Sequence, residues 1–244
     1  MTYTKADLAR HLKEEHKISP FSTYLKEIVY GGNDGIVTTF AVVAGFTGAN
    51  TALGNLGYIT VLLFGLANLF ADGASMGLGN FLSTRSEHDR YHKEKNKELK
   101  EIKENSLMEK AETQELLMQR GFSQEDAEIL VGRYAKNKEY WADFMMRYEL
   151  EMSDPSENPV LTALATFLAF VTFGFIPLIP YILFKNNPQT FIYASVATGL
   201  ALVLLGLLRW RITRDSIVRS VGEILIVGGI SAMVAYLVGT FFRG

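Results

Sequence analysis

Two acidic residues sit where an apolar chain should not tolerate them. Asp34 lies in the run Tyr30-Gly31-Gly32-Asn33-Asp34-Gly35, inside a stretch otherwise apolar enough to cross a bilayer. Asp72 repeats the oddity in the next apolar stretch, with Met76 one helical turn on. An ionised carboxylate at the bilayer centre costs on the order of 3 kcal/mol or more, so it persists only against protein, water or a cation. The chemistry implied is passage of a cation or a proton. Asn68, Asp72, Met76 and Asn80 recur every four residues, which makes one polar stripe on a helix. Glu27, Asp34 and Thr38 share a face on the preceding stretch. Facing each other, the two stripes would line a path with oxygen ligands and one sulfur. The alternative is a structural polar contact between helices.

A second constellation lies in a polar block between the second and third apolar stretches. Glu98 and Glu101 are three apart, as are Glu109 and Glu112, so each pair shares a helix face. On one unbroken helix the two pairs would lie about 16 Å apart at 1.5 Å per residue, too far for one ion. A break at Asn105-Ser106 would fold the helices side by side and let the pairs converge. Converging carboxylates repel unless a cation offsets them. Met145, Met146 and Glu149 follow on the third polar helix. Thioethers beside carboxylates shift preference from Ca2+ or Mg2+ toward first-row transition metals such as Fe2+. The competing explanation is a solvated Glu/Lys surface, with Met as core filler.

The elements that must position these residues follow from segregated composition. Of 26 acidic residues, 18 fall between Glu87 and Glu157. The rest of the 244 residues is largely apolar. Five spans are expected, at about 28–49, 56–82, 159–184, 189–209 and 217–241, each near the roughly 20 residues a bilayer needs. Arg209, Arg211, Arg214 and Arg219 lie between the last two spans and place that link on the cytoplasmic side. Alternation then puts the N-terminus and the polar block inside, and the connections at 47–57 and 185–188 outside. Domains are expected at 1–23 (a polar cytoplasmic segment, read as a surface helix ending before Pro20), 24–82 (spans one and two), 83–157 (the helical polar block) and 158–244 (spans three to five).

Within the polar block, Ser106 with Glu109 fits a capping box, and Ser123 with Asp126 is a weaker start signal for a third helix. Nothing separates Phe81 from Glu98, so the second span should run on into the first polar helix. Pro177 and Pro180 should kink the third span or end its regular part. Arg211, Asp215, Arg219 and Glu223 read as a salt-bridged stripe. His11, His16, His88 and His92 make no strong site. The chain has no cysteine, hence no disulfide or thiolate chemistry. It lacks the basic start and short apolar core of a signal peptide. No catalytic set is found, and no nucleic-acid partner is expected. A membrane-anchored di-iron oxidase would need Glu-x-x-His pairs, which the sequence lacks. A membrane scaffold explains the helices but not Asp34 and Asp72.

These residues resemble the vacuolar iron transporter family. Glu27-Ile-Val-Tyr-Gly-Gly-Asn-Asp34-Gly-Ile-Val-Thr-Thr-Phe40 looks like its first-span motif, and Ala71-Asp-Gly-Ala-Ser-Met76-Gly-Leu-Gly like its second. The Glu pairs, the Gly121 turn and the Met145-Met146-x-x-Glu149 ending resemble its cytoplasmic metal-binding domain. The resemblance implies an all-α membrane protein, a homodimer of five transmembrane helices plus a three-helix cytoplasmic domain per protomer. It implies Fe2+/H+ antiport out of the cytosol, with Mn2+, Co2+ or Zn2+ as alternatives and no permanently bound cofactor. Asp34 and Met76 match pathway residues, joined by Glu27 and Asp72. Glu98, Glu101, Glu109, Glu112, Met145, Met146 and Glu149 match metal ligands. One position departs: members commonly carry Glu where this chain has Asn80. The expected location is a prokaryotic plasma (inner) membrane, with a vacuolar membrane as the alternative.

Overall fold

The computed structural model describes residues 4, 5, 7, 8, 10, 11, 19–49, 57–185 and 187–241. The expected surface helix of the N-terminal segment, the first external connection and His16 fall wholly or largely outside them. Among the described residues every regular element is helical. The chain divides into two compact units, Met1–Phe81 with Val160–Gly244, and Leu82–Pro159.

The first unit holds α1 (Leu25–Ala49), the beginning of α2 (Gly57–Glu104), α6 (Pro159–Gly174), α7 (Thr190–Thr213) and α8 (Ile217–Phe241). A single turn, Pro20–Thr23, leads into α1. Ser19 starts it by accepting the Ser22 amide on its hydroxyl at 3.2 Å, ahead of a proline that needs no helical donor partner. Regular α6 stops at Gly174 and gives way to a 3-10 turn, Ile176–Leu178, and a short helix, Ile179–Leu183. Each carries a proline in its first turn, Pro177 and Pro180, where the missing N–H does least harm.

Four helical stretches are long and apolar enough to cross a membrane: Tyr58–Glu104, Pro159–Leu183, Thr190–Thr213 and Ile217–Val234. The first expected span, α1, is not among them, because Glu27, Asn33, Asp34 and several glycines dilute its apolar residues. It nevertheless packs along α7 and α8. Ile36 is buried with Ala201, Leu202, Leu205 and Ile224, and Val43 with Leu69, Phe170 and Leu178. Leu63, Leu78, Ile226 and Met233 point outward. An apolar core inside and an apolar surface outside is the pattern of helices solvated by lipid.

The second unit contains the polar end of α2, α3 (Ser106–Gln119), α4 (Gln124–Tyr134) and α5 (Lys138–Tyr148). As the sequence suggests, α2 runs 48 residues without interruption. The α3 end is a Schellman turn: Gly121 sits at φ +95, its amide donates to Met118 and the Phe122 amide donates to Leu117. Ser123 caps α4, accepting the Asp126 amide at 3.1 Å and donating to the Asp126 carboxylate at 2.7 Å. Two expectations are corrected. The N-cap of α3 is Asn105, with no side-chain bond, so the Ser106–Glu109 capping box does not form; Glu109 faces the interior instead. The single third helix is two helices, because Asn137 starts a new one by accepting the Tyr140 amide at 3.2 Å. The three-helix block is therefore four helical segments among the described residues. Ile102, Leu117, Val131, Trp141 and Met145 form its core.

Candidate metal-handling sites

The break at Asn105 does to the glutamates what their spacing requires. Glu98 on α2 and Glu109 on α3 are buried, 3% and 5% exposed, and hydrogen-bond carboxyl to carboxyl. Two carboxyls so placed must hold a proton between them. Burial, then the charges of Glu109 and Glu149, push the Glu98 carboxyl up to about 8. Burial also raises Glu109, while the bond donated by Glu98 opposes that rise. At neutral pH the pair thus retains one proton shared between Glu98 and Glu109. One further oxygen on each, Glu98 Oε1 and Glu109 Oε2, has no hydrogen-bond partner among the described residues.

Three more carboxylates act on this pair through space. Glu149 caps the end of α5, and its carboxyl is raised by burial, then by Glu112, Glu109 and Glu101. Glu101 lies 3.8 Å from Lys97, and Glu112 is exposed on α3. Among the described residues no three His, Asp or Glu side chains already converge as a metal site. What stands is a proton-sharing pair inside a ring of negative charge.

The methionines are deeper than ligand spacing suggests. Met145 and Met146 are fully buried, and Met145 belongs to the apolar core. The Met145 sulfur lies 3.2 Å from the Thr113 hydroxyl, which accepts the Trp141 indole N–H at 2.7 Å and approaches the Glu109 carbonyl at 2.6 Å. One hydroxyl proton serves either the sulfur or the carbonyl. Thr113 and Trp141 therefore steady the turn that carries Glu109, and sequence reasoning missed both; the signal was Thr113 one turn past Glu109. It also missed Lys95, which pairs with Asp143 and lies 3.8 Å from Glu139, tying α2 to α5. His88 meets the Glu157 carbonyl at 2.9 Å and His92 packs edge-on to Tyr91, so the two form no shared site.

In the first unit, glycine sets how closely the helices approach. A Cβ on Gly35 would run into the Phe170 carbonyl, and one on Gly174 would lie 2.7 Å from the Gly35 carbonyl. Backbone contact between α1 and α6 therefore fixes the turn bearing Asp34. Gly77, on α2, would meet the Ala163 carbonyl at 3.0 Å. Asp34 and Asp72 are half-buried and interact electrostatically across α1 and α2. Asn68 donates to the Asp72 carboxylate at 2.6 Å. Met76 is half-buried beside the Phe170 cluster, and Glu27 is buried. Asn33 Oδ1, next to Asp34, is buried with no partner among the described residues.

The polar stripe on α2 divides in function. Asn80 donates to the Thr166 hydroxyl at 2.8 Å, and that hydroxyl donates to the Thr162 carbonyl at 2.9 Å. Asn80 is thereby a strut between α2 and α6. Thr38 donates to the Asp34 backbone carbonyl at 2.8 Å, not to its carboxylate. The charge stripe on α8 forms with one substitution of partner: Arg219 reaches Asp215 and Glu223, and Arg209, not Arg211, completes it at 2.7 Å from Glu223.

Residues 25–240 match the VIT family model. The chain is 34% identical over 233 residues to vacuolar iron transporter 1 of Arabidopsis thaliana, across 95% of this chain and 90% of that protein. It is 33% identical over 231 residues to vacuolar iron transporter 1 of Tulipa gesneriana, across 93% and 92%. The vacuolar iron transporter of Toxoplasma gondii is 34% identical over 250 residues, across 97% and 81%.

Proposed function

The chain belongs to the VIT family, and from that premise we propose that it exports Fe2+ from the cytosol in exchange for protons. It is a multi-pass membrane protein and a transporter, not an enzyme. In this reading α1 is a fifth span, two protomers pair, and Leu82–Pro159 is a cytoplasmic metal-collecting unit. The arginines at 209, 211, 214 and 219 support that orientation. The names of the relatives favour a vacuolar-type membrane.

The observation that carries the mechanism is two interacting carboxyls, Asp34 and Asp72, held by glycine-packed helices of an apolar unit. Ionised, they bind a divalent ion, with Met76 adding a soft donor and Glu27 extending the acidic face. Protonated, they release it. Metal and proton compete for the same oxygens, and that competition is antiport. The Glu98–Glu109 pair works by the same competition on the cytoplasmic side. An arriving ion replaces the shared proton and draws in Glu101, Glu112 and Glu149, with Met145 and Met146 available behind them.

The test is flux into proteoliposomes under an imposed pH gradient, with Fe2+, Mn2+, Co2+ and Zn2+ supplied in turn. Fe2+ should move fastest, and Asp34→Ala should abolish movement of all four. Parental flux in Asp34→Ala would reject the pathway, and faster Mn2+ than Fe2+ would reassign the substrate.

A further inference from the structure

The first unit also carries a cavity lined by positive charge. It has a volume of about 590 Å³ and is bounded by Ser19, Ser22, Arg211 and Arg214, with Phe21 and Leu208 at its side. Among the described residues no carboxylate lines it. Arg209 and Arg219 are neutralised by Glu223 and Asp215, but Arg211 and Arg214 have no acidic partner among the described residues. Arg214 also holds a left-handed backbone, φ 54 and ψ 24, at the end of α7. That is a conformation glycine adopts with least strain, so a cation there comes at the expense of an easier turn.

The same Phe21 and Leu208 line a second cavity of about 320 Å³. Its other walls are largely apolar and come from α1 and α6, with Ile28, Ala165, Leu168 and Phe173 among them, beside Tyr24 and Thr172. The two cavities therefore adjoin. One is a cationic pocket with two serines, and the other is a greasy furrow among helices that cross the membrane. Two side chains of the polar end, Arg211 and Arg214, fit a phosphodiester by charge-assisted hydrogen bonds, and the furrow fits an acyl chain. A soluble phosphate would use only half of this arrangement.

We propose that this composite groove binds one anionic glycerophospholipid, its phosphate on Arg211 and Arg214 and one acyl chain along Ile28, Ala165 and Leu168. The occupant is a resident lipid of the transporter; none of the proposed ion-path side chains, Glu27, Asp34, Asp72 and Met76, lines either cavity. Native mass spectrometry of the full chain in detergent tests it, with dioleoyl phosphatidylglycerol and dioleoyl phosphatidylcholine as probes of equal tails. The phosphatidylglycerol adduct should dominate by about thirtyfold, from two juxtamembrane arginines. Arg211→Gln with Arg214→Gln should erase that preference, while Arg211→Lys with Arg214→Lys should keep most of it. Ala165→Trp, which fills the furrow, should lower retention of phosphatidylglycerol with both arginines intact. Circular dichroism and a single elution peak check that each variant is folded. The idea is overturned if the double Gln variant prefers phosphatidylglycerol as strongly as the parent. It is equally overturned if inorganic phosphate displaces the lipid, which would make the pocket a phosphate site.

Discussion

At the scale of single residues, Glu98 carries the sharpest consequence. Its carboxyl is raised from 4.5 to about 8, first by burial and then by neighbouring glutamates. The folded chain therefore holds a proton there that the unfolded chain loses above about pH 4.5. Between those limits the native state binds more protons, so stability falls as pH rises toward 8. The whole shift corresponds to about 5 kcal/mol, and with the proton shared with Glu109 and solvent screening the pair, the loss should be a few kcal/mol for the metal-free protein. Glu98→Gln keeps an N–H donor toward Glu109 at every pH, so it should be the more stable form at pH 8 and flatten the dependence. Trp141 is buried in the core of the same unit, and its fluorescence in a Trp210→Phe background reports the melt. An equally steep pH dependence in Glu98→Gln would show that the pair is not the source. The glutamate spacing revealed that two pairs shared faces, but not which members would be buried. That choice rests on Glu109 turning inward when Asn105 takes the cap position, a competition settled by packing that spacing does not record.

At the scale of elements, the helices were legible where a breaker or a cap stood in the chain. Gly121, Ser123 and the prolines at 177 and 180 act where their chemistry says they should. The break before Lys138 was missed because Tyr134 to Asn137 holds no Gly or Pro; only the Asn137 side chain marks it. The approach of α1 to α6 was also illegible, since glycines along a helix do not name the partner they admit. The structure names it, and a prediction follows. Gly35→Ala would place a methyl group against the Phe170 carbonyl, which a backbone cannot yield easily. Overpacking of this kind costs about 1–3 kcal/mol. The variant should melt lower in detergent and lose flux in proportion to folded protein. Gly79→Ala, with open space around its added carbon, should melt with the parent. Equal melting of the two variants would mean that α1 and α6 are not in backbone contact.

At the scale of the whole molecule, the question is what net charge crosses the membrane in one cycle. A single unneutralised charge in hydrocarbon is costly, and a divalent ion is worse. In the proposed cycle Asp34 and Asp72, which interact electrostatically, would together supply two negative charges, enough to neutralise one divalent ion. On that proposal the same two carboxyls would return with two protons once the ion has left. Each half of the cycle is then neutral within the bilayer, which predicts exchange of two protons for one ion. On the same proposal Asn80 need not carry charge: its amide braces α2 against α6 through Thr166, and the pair at 34 and 72 would suffice for a divalent cargo. In proteoliposomes, a pH difference of one unit should sustain a metal gradient of about a hundredfold, tenfold for each proton exchanged. A potassium diffusion potential set with valinomycin should leave the initial rate unchanged at constant pH difference. Asp72→Asn removes one of the two charges, so its residual transport should become sensitive to that potential. If the parent's own rate follows the potential, net charge is moving and the paired-carboxyl account of coupling fails, even though a metal is still carried.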